Sequence, residues 1–430
     1  MMVAMQGVDS ARVSARAAQL VDRYSRRIYP AVLAQHAGAT VCSPLGIWLL
    51  LAACASGAEG EDLRALELAL GCPAGEAGQL LAALLAEPPP ALRSAIAVWA
   101  RAIDATEALA GWVRTLPRTV ESGLMPSQAD ADAWTDRETM GLIKQLPITI
   151  DALTRVVLVS ALATKVSWEQ PFGIVPAAGA LGERSPWHGR VQRLLSDSRP
   201  AGRALLARTR NAGLVAVQLA VAKEDLTVIS VSADPAVPRE AVLDAAHDLA
   251  SPALAAPESI ACSLFELPLG AGHSWLISER EIATRVAGER LERIAAVSLP
   301  AWRVQSEHDL KASDLFGSVP ALETLRALIG PKSDDRTEAV QAAVASFTRY
   351  GFEAAAASGF AVLAMARLPA RQKGVERAAT LRFDHPFAAV AIAGRPARAG
   401  SDQSSAFAGL PLFSAWVAEP LEADEDPPAS

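Results

Sequence analysis

The 430-residue chain has little of what builds metal sites and covalent frameworks. Its four cysteines are Cys42, Cys54, Cys72 and Cys262, and no two stand in CxxC spacing. A zinc site and a disulfide framework are therefore not indicated, and buried free thiols are expected. The six histidines, His36, His188, His247, His273, His308 and His385, include no pair four residues apart and no HExxH motif. Metal binding accordingly has no sequence support. There is no GxSxG elbow and no GxxxxGK[ST] loop. Asp384-His385-Pro386 sets an acid beside a base, but Pro386 and the flanking strand-like runs read as a structural turn. No catalytic residue is nominated, and the chain is not read as an enzyme. No apolar run approaches the roughly 20 residues that span a bilayer, and Leu45–Ala55 is among the longest. Net charge is −7 and pI about 5.5, which excludes a general nucleic-acid footprint. Met1–Arg27 lacks a charged-then-apolar pattern with a small-residue cleavage site. By sequence the chain therefore reads as cytoplasmic.

What the chain does have is apolar material. Hydrophobic residues make up 51% of it, many of them alanine, and mean hydropathy is +0.21. Length alone suggests two or three domains, although a large mixed sheet can make one domain of this size. Val13, Ala17, Leu20, Val21 and Tyr24 have amphipathic helical spacing. Ser43 caps and Pro44 opens a helix that is apolar on nearly every face, so it is deeply buried. Glu61–Leu70 is a helix stopped by Gly71. Residues 73–120 hold further helices and a buried strand at 96–100. Asp130–Leu146 reads as a helix ended by Pro147, and 155–164 as a central strand apolar on both faces. Residues 200 to 300 are mostly strands, with Arg239–Ala250 helical and 295–302 another strand. His308–Leu315 and Ala321–Ile329 read as short helices. Late strands fall at 338–347, 379–383, 387–392 and 413–417. Helices first and strands later, without βαβ alternation, give an α+β class with large sheets. The acidic, Pro-rich 419–430 tail reads as disordered.

One stretch, 350–366, reads two ways. Ala354, Ala355, Ala356 and Ala357 favour helix. Phe360, Val362 and the flanking Gly351 and Gly359 suit an extended strand. As a strand its faces are fixed by Glu353, which cannot be buried alone. Phe352, Ala354, Ala356, Ser358, Phe360, Val362 and Ala364 would then face a core.

Several motifs, in order, resemble the serpin family. They are Ser43-Pro44-Leu45-Gly46-Ile47, residues 133–143, Leu158–Ala161 running into Lys165-Val166-Ser167-Trp168, and Val297–Trp302 with His308-Asp309-Leu310. The C-terminal pair is Phe383-Asp384-His385-Pro386-Phe387 and Pro411-Leu412-Phe413. The likeness spans residues 12–418, with 1–11 as an N-terminal extension and 419–430 as the tail. It implies one α+β domain of three β-sheets and eight or nine helices, with an exposed reactive loop. It implies a suicide-substrate inhibitor, in which a serine protease cleaves the loop, forms an acyl-enzyme and is trapped as the loop inserts into the main sheet. Gly351, Phe352, Glu353, Ala354, Ala355, Ala356, Ala357 and Ser358 are then the hinge. Ser43, Ser160, Trp168 and Gln341 fall in the region where the sheet opens. The family's usual spacing puts the reactive bond at Met365-Ala366, facing an elastase- or chymotrypsin-like protease. Arg367, Arg371 and Lys373 offer trypsin-like alternatives in a segment, 366–379, about ten residues longer than the family's. The resemblance implies no cofactor, metal, nucleic acid or membrane partner, and a monomer. It leaves an extracellular location open.

Phe352 stands where inhibitors of the family carry threonine or serine, Arg349 where they carry glutamate, Gln341 for a histidine and Ser160 for an asparagine. Gln341 and Ser160 keep hydrogen-bonding ability. A ring at 352 is expected to enter the sheet first and slow insertion. That motivates a second reading, a non-inhibitory binding or carrier protein on the same fold.

Overall fold

The helix announced by Ser43-Pro44 is the floor on which the main sheet is laid. It runs Pro44–Ala55, and every residue except Leu50 is buried. Ser43 accepts from the Gly46 amide through its hydroxyl, and Pro44 fills the first turn where no amide is needed. The structure is a computed structural model. It describes residues 2–198, 200, 202–284, 286–330, 338–352, 372–397 and 407–423, with side chains from residue 12 onward. Among these residues are nine α-helices, of which Ala177–Ala180 is a single turn. The first helix is Met2–Ala34.

Above the floor lies the main sheet, in two parts. One part has the order Glu121–Leu124, Arg93–Ala100, Val156–Ala163. The other is an antiparallel pair, Trp302–Asp309 with Val340–Phe347. Val156–Ala163 and Val340–Phe347 are the inner strands. Among the described residues neither hydrogen-bonds to the other. A short antiparallel pair, Val166–Ser167 with Gly351–Phe352, joins the two parts at one end.

A second, six-stranded sheet has the order Thr40–Cys42, Pro411–Val417, Phe387–Ala393, Leu226–Ser232, Gly213–Val221, Ala204–Thr209. Its strands are buried on both faces, between the main core and the helix Arg239–Ala255. That is why they read as unbroken apolar runs rather than alternation. A third six-stranded sheet has the order Gly270–Ala271, Trp275–Thr284, Gln372–Arg382, Arg290–Leu299, Arg193–Asp197, Gly173–Pro176. Among the described residues no single helix is long and apolar enough to cross a membrane.

Some elements differ from the sequence reading. The helix expected over Asp130–Leu146 is Gln128–Glu138. Thr139 ends it by donating to Thr135 O at 2.7 Å while accepting from the Ile143 amide at 3.0 Å. Met140 and Gly141 then turn left-handed, at φ 54° and 82°. The helix expected at His308–Leu315 is the end of a strand, Trp302–Asp309, followed by two 3-10 turns. Its strict buried-exposed alternation is a strand period, which the adjoining Leu310 and Leu315 obscured in sequence. The lengthened segment before Ala379 is not all loop. From Gln372 onward it is strand, paired on both sides. Ion pairs neutralise its charges, and those charges made it look like loop.

Candidate functional site

Between the inner strands runs a slot. Its lower part is a cavity of about 180 Å³. Ile47, Leu50 and Cys54 of the floor helix, Val156 and Leu158 on one side, and Val340 on the other line it. A second cavity of about 50 Å³ continues upward past Ser160, Leu162, Gln341 and Phe413. Burial pushes the Cys54 thiol up to about 12, so it lines the slot as an inert apolar group.

Two of the residues singled out in sequence pin the inner strands to the floor from opposite sides. Gln341 donates through Nε2 to Ser43 O at 2.8 Å, and its Oε1 accepts from the Ser43 amide at 3.0 Å. The Cys42 thiol donates to the same oxygen at 3.1 Å. Ser160 donates from Oγ to Gly46 O at 3.2 Å. Gly46 lies between them: a Cβ there would come within 3.3 Å of Gln341 Nε2 and 3.4 Å of Ser160 Oγ. Ser43 donates its hydroxyl to Leu412 O at 2.9 Å, which ties this point to the second sheet.

The head of the slot is an aromatic cluster. Trp168 and Phe347 have ring centroids 4.8 Å apart, Phe172 and Phe347 5.4 Å, and Trp302 stacks on Phe347 at 6.0 Å. Trp168 Nε1 donates to Thr348 O, and its amide to Tyr350 O. The chain turns at 348–351, where the Thr348 amide donates to Gly351 O at 2.9 Å. Gly351 and Phe352 then pair antiparallel with Ser167 and Val166. Phe352 is only 3% exposed, with its ring edge-on to Trp302 at 6.1 Å and tilted on Phe413 at 6.5 Å. Gly351 and Phe352, the first two residues of the expected hinge, therefore lie at the head of the slot. Arg349 donates from Nε to Phe172 O at 3.0 Å and lies over the Tyr350 ring.

Glu353, Ala354, Ala355, Ala356, Ala357 and Ser358 of the hinge lie outside the described residues. So do the reactive-bond candidates Met365 and Ala366 and the alternatives Arg367 and Arg371. Lys373, the third basic alternative, is described. It sits inside the strand Gln372–Arg382 and pairs with Glu281 at 2.8 Å, which withdraws it from any free loop.

Among the described residues two serine-histidine-aspartate groupings occur, and both are interior. His385 Nδ1 is 2.9 Å from Asp384 Oδ1, and its Nε2 is 3.2 Å from Ser232 Oγ. That Nε2 also lies 2.7 Å from Ala233 O. A carbonyl only accepts, so Nε2 carries the proton and cannot serve as a base toward the serine. His247 Nδ1 is 2.6 Å from Asp22 Oδ1, and its Nε2 is 3.1 Å from Ser414 Oγ. Ser414 and His247 are 4% and 3% exposed, and Tyr29 OH wedges against both, so no substrate atom reaches them. In sequence only the adjacent Asp384-His385 pair stood out; Ser232 is 153 residues from His385, and Asp22 and Ser414 are 225 and 167 residues from His247.

This arrangement is a split main sheet over a buried helix, a short strand pair at the head of the split, and two further sheets. It defines the serpin fold. Residues 19–174 match the serpin (serine protease inhibitor) family model. Solved serpins superpose over nearly the whole chain. A thermophilic serpin, tengpin, in its native state is 16% identical with TM-score 0.61, covering 94% of each chain. Cleaved Serpin 42Da is 17% identical with TM-score 0.58, covering 97% of this chain and 100% of its own. Thyroxine-binding globulin in complex with thyroxine is 14% identical with TM-score 0.59, covering 94% and 99%. No curated protein sequence matches the chain. The sequence match thus carries residues 19–174, and the likeness to solved structures gives the whole chain the serpin fold.

Proposed function

We propose that the chain inhibits serine proteases as a suicide substrate, trapping the acyl-enzyme by inserting its cleaved loop as a strand between Val156–Ala163 and Val340–Phe347. One observation carries this reading: the hinge residues Gly351 and Phe352 already pair with Val166–Ser167 at the head of an open slot. Each residue that follows them in offers hydrogen bonds to unpaired strand edges, worth about 1 kcal/mol net apiece. A run of about a dozen residues then supplies enough to drag a bound protease, by strand addition to a preformed sheet edge. The nucleophile is the protease's, so the inhibitor needs no catalytic residue of its own. Met365-Ala366 is the proposed reactive bond, for an elastase- or chymotrypsin-like enzyme, with Arg367 and Arg371 as trypsin-like alternatives.

A specific observation favours the second reading, a non-inhibitory binding or carrier protein. Arg349, which stands where the family's inhibitors carry glutamate, is held to Phe172 O at 3.0 Å. Thyroxine-binding globulin shows that this fold also serves in ligand complexes. Incubation with elastase-, chymotrypsin- and trypsin-like proteases separates the two. An inhibitor gives a complex that survives SDS, together with a large rise in melting temperature on loop cleavage. Cleaved product alone, across the whole panel, overturns inhibition.

A further inference from the structure

The third sheet contains an unusual threading. Trp275–Thr284 and Arg290–Leu299 are consecutive strands joined by a short connection, yet they are not neighbours. Gln372–Arg382 lies between them, antiparallel to the first and parallel to the second. The connection from Thr284 to Arg290 must therefore cross the head of this middle strand. It bonds to that strand as it crosses: the Gly288 amide donates to Lys373 O and the Val375 amide to Glu289 O, both at 2.9 Å. The approach is so close that a Cβ on Gly374 would lie 2.6 Å from Glu289 O and 2.6 Å from Thr284 Cγ2. Only glycine fits there. Side chains reinforce the grip from both flanks. Glu376 pairs with Arg280 on one neighbour at 2.7 Å and with Arg293 on the other at 3.2 Å, and Arg377 pairs with Glu279 at 2.8 Å.

We propose that the connection between Thr284 and Arg290 is a clasp on the head of Gln372–Arg382, which prevents the uncut chain from filling its own slot. The proposal rests on the loop-insertion reading above. From Val156 to Ser167 the slot wall is about 12 residues, roughly 40 Å at strand rise. The chain between Phe352 and Gln372 has 19 residues. Gly351 and Phe352 already fill two of those positions, so filling the rest uncut takes about ten residues and leaves about nine, at most ~32 Å of chain, to return along the same ~40 Å. The third sheet lies beyond the head of the slot, reached directly through Phe172–Gly173 and Leu299–Trp302, so the return path is no shorter than the slot. The deficit of at least ~8 Å, or about two or three residues at strand rise, must come from the head of Gln372–Arg382. Those residues run from Gln372 to Gly374, and Lys373 and Gly374 lie under the clasp. Cutting the chain ahead of Gln372 removes the requirement. Insertion thus becomes conditional on cleavage.

The test compares the wild-type chain with a variant carrying six Gly/Ser residues inserted after Ala287, which slackens the crossing without touching either strand. A second variant, Gly374→Ala, pushes the clasp off directly. Uncut proteins are held some ten degrees below their melting temperature and sampled for a more stable form. The slackened variant should convert at least tenfold faster than wild type. In hydrogen exchange the wild-type Val375 amide should be protected to the level of the sheet core, and lose that protection in the variant. Equal conversion rates, or a Val375 amide that exchanges as freely as an exposed loop, overturn the clasp. Nicking the loop with a protease is run alongside. A nick that raises the stability of neither protein overturns the loop-insertion reading instead, and the Val375 protection still decides whether the clasp holds the strand.

Discussion

The Gln341 side chain and the Ser43 backbone bond reciprocally: Nε2 donates to Ser43 O at 2.8 Å, and Oε1 accepts from the Ser43 amide at 3.0 Å. A side-chain amide here acts as one more peptide unit. It joins an inner strand of the main sheet to the start of the buried helix. Replacing it with leucine leaves a backbone amide and carbonyl without these partners, each costing about 1–3 kcal/mol. Gln341→Leu should lower stability to chemical denaturation by about 3 kcal/mol. It should also raise the rate at which a peptide matching residues 353–364 anneals into the sheet, measured by native gel shift.

Phe352 changes the expectation that a bulky first hinge residue slows insertion. The ring is already inside, against Trp302 and Phe413, before any cleavage. It therefore does not have to be carried in. Phe352→Thr should destabilise the uncut protein by about 3 kcal/mol, the scale of losing a buried aromatic, and should leave the rate of complex formation within about threefold. A tenfold acceleration would show that the ring is a barrier after all.

Acid sensitivity should centre on His308. Its Nε2 lies 2.7 Å from Val41 O, so Nε2 carries the proton. Its Nδ1 is then free to accept from His36 Nε2 at 3.2 Å. Burial, above all, lowers its pKa from 6.5, with the His36 charge adding to that effect. The unfolded chain therefore binds this proton before the folded one does. The contribution to stability is whole above pH 6.5 and is lost as pH falls from 6.5 toward the lowered folded value. Asp22 adds a later step. Burial opposes its charge, but the His247 hydrogen bond and the nearby Arg26 outweigh burial and lower its pKa below 3.8, so its share is lost at still lower pH. Melting temperature measured from pH 7.5 to 4.5 should fall in the first window, and His308→Gln should flatten that fall.

At the foot of the slot Arg155 pairs with Asp104 at 2.7 Å, with side-chain exposures of 12% and 2%. It also donates to the carbonyls of Ile329 and Gly330 at 3.0 Å, closing the end of the helix Ser318–Ile329. Asp104→Ala strands a mostly buried guanidinium and should cost about 3–5 kcal/mol. Arg155→Met with Asp104→Leu, which removes both charges, should recover most of that loss in urea unfolding.

Local signals were enough for much of the molecule. Ser43-Pro44 fixed the floor helix, because a hydroxyl cap and an amide-free first turn act within four residues. The apolar runs at 214–219, 226–231 and 387–392 declared buried strands. The ordered motifs from residue 12 to 418 pointed to the fold. The sequence by itself also determined that Phe352, Gln341 and Ser160 would be the informative substitutions. Only the tertiary structure decided what they do, because each acts on a partner far along the chain: Gln341 on Ser43, Ser160 on Gly46, Phe352 on Trp302 and Phe413. It alone placed Gly351 and Phe352 at the head of the slot, since that placement depends on residues as far apart as Val166, Trp302 and Phe413. It alone drew Lys373 into a strand and threaded Gln372–Arg382 between Trp275–Thr284 and Arg290–Leu299. Strand pairing is non-local, and a strand whose Lys373, Glu376 and Arg377 are held in ion pairs carries little apolar alternation there for a sequence reading to find.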